Sequence, residues 1–225
     1  MSPFRSDQFP RARGRRGARV GARVRRAPSR GALLAAVALL CGCAQPAPTR
    51  FHTLLPDWQA GAAATRAAAP GWSFGDLRVP VQVDRPQLVL LTGDGTLAVV
   101  ERERWLAPLG DELRAALEQD LQRALGPADA GPPAERWEID VEVRRFESVL
   151  GAEARLEAQW TLARDGAAGE GPVCRLRVAE PAPGDVPALA AAHRAALARL
   201  ADAIAASLRT RAGGGAACAG GEASA

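Results

Sequence analysis

Trp137-Glu-Ile-Asp-Val-Glu-Val-Arg144 alternates strictly, with Trp137, Ile139, Val141 and Val143 on one side and Glu138, Asp140, Glu142 and Arg144 on the other. A two-residue period sends successive side chains to opposite faces of a strand, so the stretch predicts a strand with one dry and one wet face. The same period returns downstream in Ala154, Leu156, Ala158, Trp160 and Leu162. A shorter third stretch sets Cys174, Leu176 and Val178 against Arg175 and Arg177. Half-solvated strands in succession are the pattern of an antiparallel sheet.

Outward from this sheet the period changes. Leu106, Leu109, Leu113, Leu117, Leu121 and Leu125 recur at three- and four-residue steps and predict a helix. Pro108 suits its first turn, Asp111 and Glu112 lie near its positive end, and Gly126-Pro127 stops it. A second helix is expected from Val186 to about Leu208, with Leu189, His193, Leu197, Leu200, Ile204 and Leu208 on one face. Upstream, Gln87 to Leu91 and Thr96 to Val100 flank Gly93-Asp94-Gly95, a hairpin signal. Both arms are apolar at consecutive positions, which predicts cover on both faces. Arg50 to Leu55 reads as a first strand, Asp57 to Gly71 as a loose Ala/Gly/Pro loop, and Trp72 to Val83 as extended. The expected fold is α+β: a single domain over 50–209, an antiparallel sheet with two main helices packed on one side. A Gly-rich tail, 210–225, is expected to be flexible.

The amino terminus has a different character. Residues 1–30 hold ten arginines and one acid, Asp7, and Gly31 to Leu40 is then uniformly small and aliphatic. That run is about half of a membrane span, and a basic lead before a short apolar run is the layout of an export signal, assigned here to 1–42. The run ends in Leu40-Cys41-Gly42-Cys43, which matches a lipobox. Gly42 lets the chain enter a narrow protease site, and the Cys43 thiol supplies the thioether to diacylglycerol. Cys41 is the poorer acceptor, with bulky Leu40 just before it. A lipidated tether then spans 43–49. A start at Val20 or Val24 is compatible with so long a leader.

Charge follows the same division. The whole chain is +4, but beyond residue 30 there remain 19 basic and 24 acidic residues, a net of −5. A net-negative domain lacks the counterion-releasing surface of a nucleic-acid binder, so no nucleic-acid partner is expected. Every basic residue is Arg, and Lys, Asn and Tyr are absent. A GC-rich genome gives that bias without functional enrichment.

The chain carries little that reads as chemistry. There are two histidines: His52 in the first strand, and His193 on the apolar stripe of the last helix, where a hydrogen-bonded core histidine is expected. No nucleophile elbow, phosphate loop, His-Glu-x-x-His or dinucleotide fingerprint occurs, and no Cys/His grouping suits a metal. A catalytic site, a metal and a cofactor beyond the Cys43 lipid are therefore not expected. Cys174 and Cys218 leave two readings open: a disulfide tying the tail to the sheet, or a small core residue and a free thiol. Two local motifs stand out. Asp84-Arg85-Pro86-Gln87 precedes the hairpin, where Pro86 suits a strand near a sheet edge. Glu103-Arg104-Trp105-Leu106-Ala107-Pro108-Leu109 joins the hairpin to the helix, with Trp105 capping the core.

These motifs, the lipobox, Phe51-His-Thr-Leu-Leu-Pro56 and Ala191-Ala-His-Arg-Ala-Ala-Leu197 together resemble the PqiC-type auxiliary lipoproteins of ABC-type and MCE transport systems. The likeness runs over about residues 43 to 209. It implies a non-enzymatic outer-membrane lipoprotein facing the periplasm, with an MCE-domain protein as partner and a homo-oligomer as a further expectation. It also implies a part in lipid transport that maintains the envelope. Only Cys43 takes a defined role from the resemblance. An assembly lipoprotein with no part in lipid movement is the alternative.

Overall fold

The computed structural model describes residues 47–55, 70–129, 136–164, 171–216, 218 and 222–224. The expected signal 1–42, Cys43 and residues 57–69 of the expected loop lie outside them. The elements run β1 (Arg50–His52), β2 (Trp72–Arg78), β3 (Gln87–Leu91), β4 (Leu97–Trp105), α1 (Leu109–Leu125), β5 (Trp137–Val149), β6 (Glu153–Arg164), β7 (Val173–Pro181), α2 (Val186–Ala212) and β8 (Glu222–Ser224).

The strands of this α+β domain form two sheets. One has five strands in the order β2-β5-β6-β7-β8, and the other has three in the order β1-β4-β3. Neither is purely antiparallel, because β1 runs parallel to β4 and β2 parallel to β5. Here the expected single antiparallel sheet needs correction. Its central meander, β5-β6-β7, is antiparallel as the alternation implies. The parallel partners are brought in by short strands whose sequence encodes no direction.

Alternation in β5 works as expected. Trp137, Ile139, Val141 and Val143 are buried, and a bulge between Val143 and Arg145 shifts the phase so that Phe146 and Ser148 face inward after it. Helix α2 packs on β6 and β7 and lies alongside α1. Its alanines allow that close approach, and Ala190, Ala196, Ala201 and Ala205 are all buried. The helix ends are closed by identifiable groups. Asp185 accepts from the Ala188 N–H at the start of α2, as an N-cap should. Arg209 in its last turn reaches across to the Ala124 carbonyl at 2.5 Å, satisfying an orphan acceptor at the end of α1.

Five details depart from the sequence reading. Strand β4 continues through Trp105, so the Glu103 motif begins inside a strand and is no simple connector. Leu106 lies outside α1 and is 65 % exposed, because Pro108 starts the helix after it. The hairpin is not covered on both faces, since Leu97 and Val99 are 51 % and 40 % exposed. Trp72 to Val83 is a strand only to Arg78 and then turns. The tail expected to be flexible carries β8, which pairs with Val173–Arg175 of β7.

Candidate functional site

Strand β4 brings the two motifs into one junction. Gln87 of β3 pairs with Arg104 of β4, and Phe51 of β1 pairs with the same residue from the other side. The Trp105 N–H donates to the Pro86 carbonyl at 2.7 Å. Pro86 lies at the outer edge of its sheet, where a missing donor costs no ladder bond. Asp84 reaches past the hairpin to accept the Gly110 N–H at 3.1 Å, taking up an orphan donor that Pro108 at the head of α1 leaves without a side-chain cap. Of the other motif residues, Arg85 is exposed and makes no ion pair among the described residues.

Glu103 is the charged centre of the junction. Its carboxylate is only 5 % exposed and receives Arg50 Nε at 2.8 Å and His52 Nε2 at 2.6 Å. Burial pushes the carboxyl up, but the hydrogen bonds from His52 and Arg50 outweigh it and hold Glu103 below its ordinary range. The segment after β1 is gripped by a second buried acid. Glu112 of α1 accepts from the Thr53 hydroxyl and the Leu54 N–H, each at 2.8 Å, and Arg194 of α2 donates to the Thr53 carbonyl at 3.0 Å. Arg50, His52 and Glu112 were not assigned these roles by sequence reasoning. Partners separated by more than fifty residues leave no local pattern.

Behind the junction lies the only Ser–His pair among the described hydrogen bonds. Ser148 Oγ and His193 Nε2 are 2.8 Å apart, a nucleophile-to-base spacing. The surroundings deny it that chemistry. Both residues are buried, at 2 % and 0 % exposure, and His193 Nδ1 has no carboxylate to orient it. The imidazole stacks on Phe146 at 3.9 Å, with Trp105 edge-on at 6.4 Å. Desolvation lowers its pKa from 6.5 to about 3, so it stays neutral and is a weak base. Here the structure places the hydrogen-bonded core histidine expected on that stripe.

This burial has a pH signature. A base whose folded pKa is depressed keeps its full contribution to stability above its unfolded pKa and loses it as pH falls. Between pH 6.5 and 4.5 the fold should lose about 2 kcal/mol on account of His193, the slope steepening toward about 1.4 kcal/mol per pH unit as pH falls. Urea midpoints measured across that window should fall for the native chain and stay nearly level for His193→Gln. An equal fall in both would refute the assignment.

The outer face of the five-stranded sheet offers a hollow of about 270 Å³ lined by Asp76, Arg78, Asp140, Glu142 and Gln159 among others. Two of its acids already have partners: Glu142 takes Arg144 and Gln159, and Asp140 takes the Asp76 N–H at 2.7 Å. Farther along, Arg145 and Arg177 flank Glu157, and Arg155 bridges Glu147 and Glu153. This is a solvated face crossed by several ion pairs. Cys174 on β7 and Cys218 in the tail are joined, with S–S 2.12 Å and Cα–Cα 5.3 Å.

Residues 52–205 match the model of a family described as ABC-type transport auxiliary lipoprotein component. No protein of curated function matches the chain. Among solved structures, a Xanthomonas campestris protein of the DUF330 family is similar, with 20 % identity and a TM-score of 0.55 over 74 % of this chain and 96 % of that one. A crystal structure described as an uncharacterized protein gives 16 % identity and a TM-score of 0.56, covering 70 % of this chain and 97 % of the other. At these identities the two structures share the fold.

Proposed function

Since the chain belongs to the family of ABC-type transport auxiliary lipoprotein components, we propose that it is lipidated on Cys43 and held at the periplasmic face of the outer membrane. From there it serves as the docking partner of an MCE-domain protein in a lipid transport system that maintains the envelope. The observation that carries this reading is the order of its parts. A lipobox ends at Cys43, and the family match starts at residue 52, so the folded domain follows its anchor almost without interval. Acyl chains at about 0.8 kcal/mol per buried methylene would make such an anchor effectively permanent. The family is one of transport components, and its description names no reaction. The solvated, ion-paired sheet face and the sealed Ser148–His193 pair leave the domain suited to holding a partner.

Metabolic labelling with an alkyne fatty acid, followed by envelope fractionation, tests the anchor. Native protein should carry the label and sediment with outer membranes, and Cys43→Ala should lose the label entirely. The docking arm is a pull-down from intact envelopes probed for MCE-domain proteins. An unlabelled native protein that washes off as soluble would end the anchor reading, and absence of any MCE-domain protein from the pull-down would end the docking one.

A further inference from the structure

Among the described residues, seven large apolar side chains are conspicuously exposed, and six of them lie between residues 51 and 106. Register shows that half of these share one surface. Phe51, Arg104 and Gln87 stand in one row across the three-stranded sheet, with Val89 beside Val99 and Leu91 beside Leu97 in the rows that follow. Alternation along β3 puts Gln87, Val89 and Leu91 on the face opposite Leu88 and Leu90, and their partners Arg104, Val99 and Leu97 share it across an irregularity in the β3–β4 register; Val89 itself is buried, so the exposed part of this face is carried by β1 and β4. Phe51 is 60 % exposed on it, with Leu97 and Val99 as given above. An isolated chain gains nothing from leaving such a face apolar.

Position and charge identify what covers it. Only residues 44–49 separate Cys43 from Arg50, so the first row begins within about 25 Å of the acyl attachment even when the tether is fully extended. Arg85, Arg102 and Arg104 belong to this end of the sheet and form no ion pair among the described residues. Of the nearby acids, Glu103 is paired with Arg50 and His52 and Asp84 accepts the Gly110 N–H, while Glu101 and Asp94 are exposed. An apolar strip bordered by the exposed Arg85 and Arg102, a few residues from a lipid anchor, fits a bilayer surface with anionic headgroups.

We infer that the outward face of the three-stranded sheet, centred on Phe51, Leu97 and Val99, lies on the phospholipid surface to which the chain is tethered. The inference rests on the Cys43 anchor proposed above. The strands lie along the interface and do not pierce it. Asp94 at the hairpin tip accepts from Thr92, from the Thr96 N–H and from the Thr96 hydroxyl, and these bonds hold it ionised at headgroup level. The domain is thereby oriented as well as anchored: the three-stranded sheet faces the lipid.

The test uses the native lipidated protein with vesicles of phosphatidylethanolamine and phosphatidylglycerol that carry brominated acyl chains. Flotation reports the anchor, and the emission of an added tryptophan reports the contact. Leu97→Trp should show roughly twofold quenching of its added emission, as expected for a side chain about 5–10 Å into the interface. Leu150→Trp, equally exposed in the turn between β5 and β6, should show none. Both sites are on the surface, and unchanged melting confirms that the fold survives. Flotation without quenching at Leu97 overturns the contact and leaves the anchor standing. Failure to float overturns both. Cross-linking of Leu97→Trp protein to a second copy or to the MCE protein, with no quenching, would assign the face to a protein partner.

Discussion

Trp105→Ala is expected to lower the unfolding free energy by about 3–5 kcal/mol, the range for a large aromatic removed from a closed core. Trp105 is 2 % exposed, ends β4, and stands edge-on to Phe146 at 6.1 Å and to His193 at 6.4 Å. Removing the indole opens a cavity beneath the sealed Ser148–His193 pair, and water entering there would relieve the desolvation that keeps His193 neutral. The substitution should therefore also weaken the acid sensitivity attributed to His193. Trp105→Phe keeps an aromatic edge against both rings and should cost about 1–3 kcal/mol, since a smaller void remains. Urea unfolding at pH 7, followed by far-ultraviolet circular dichroism, measures both. A loss below about 1 kcal/mol for the alanine variant would mean that the junction is not set by this packing.

The order in which these residues could be read from the sequence follows the range of the forces involved. The alternation of Trp137 to Val143 and the leucine stripe of α1 are local periods, so the α+β class, the central meander and both helices were legible. What was missed depends on partners far along the chain. Glu101-Arg-Glu-Arg-Trp105 reads as a charged connector because nothing nearby shows that Arg50 and His52 hydrogen-bond to Glu103. Once they do, the stretch can continue as strand β4. The parallel pairings have the same origin: Arg50–His52 is three residues long and its direction is fixed by the helix contacts of Thr53 and Leu54. Asp84 was visible as a motif residue, but its role as a cap for a helix 26 residues away was not. The hairpin failed for a different reason. A run of consecutive apolar residues normally marks a strand buried on both faces; that holds on β3, where Leu88 and Val89 are both buried, and breaks on β4, where Leu97 and Val99 are exposed. Where a reliable local rule is broken at the surface, the missing cover lies outside the molecule, which is the ground for assigning that face to lipid.

Reducing the Cys174–Cys218 bond should lower stability by about 2–4 kcal/mol, because the cross-link closes a long loop. The two cysteines are 44 residues apart in sequence, and the whole of α2 lies between them. In the chain-entropy account a loop of this length approaches about 4 kcal/mol. For a domain of this size that is a fall of roughly 5–15 °C in melting temperature. The loss should be local in its consequences. Strand β8 pairs with only Val173, Cys174 and Arg175, so without the bond the tail has three ladder positions to hold it against its regained freedom. Cys174 itself is 1 % exposed and tolerates being a thiol, since a free cysteine packs as a small apolar residue. Cys218→Ser thus isolates the cross-link from the core, and it should melt like the reduced native protein while Cys174→Ala melts slightly lower. Released β8 leaves the edge of β7 open, and limited proteolysis should then cut in the glycine-rich segment after α2. Melting curves that coincide with and without reductant, together with an uncut tail, would show that β8 is held by its strand pairing alone.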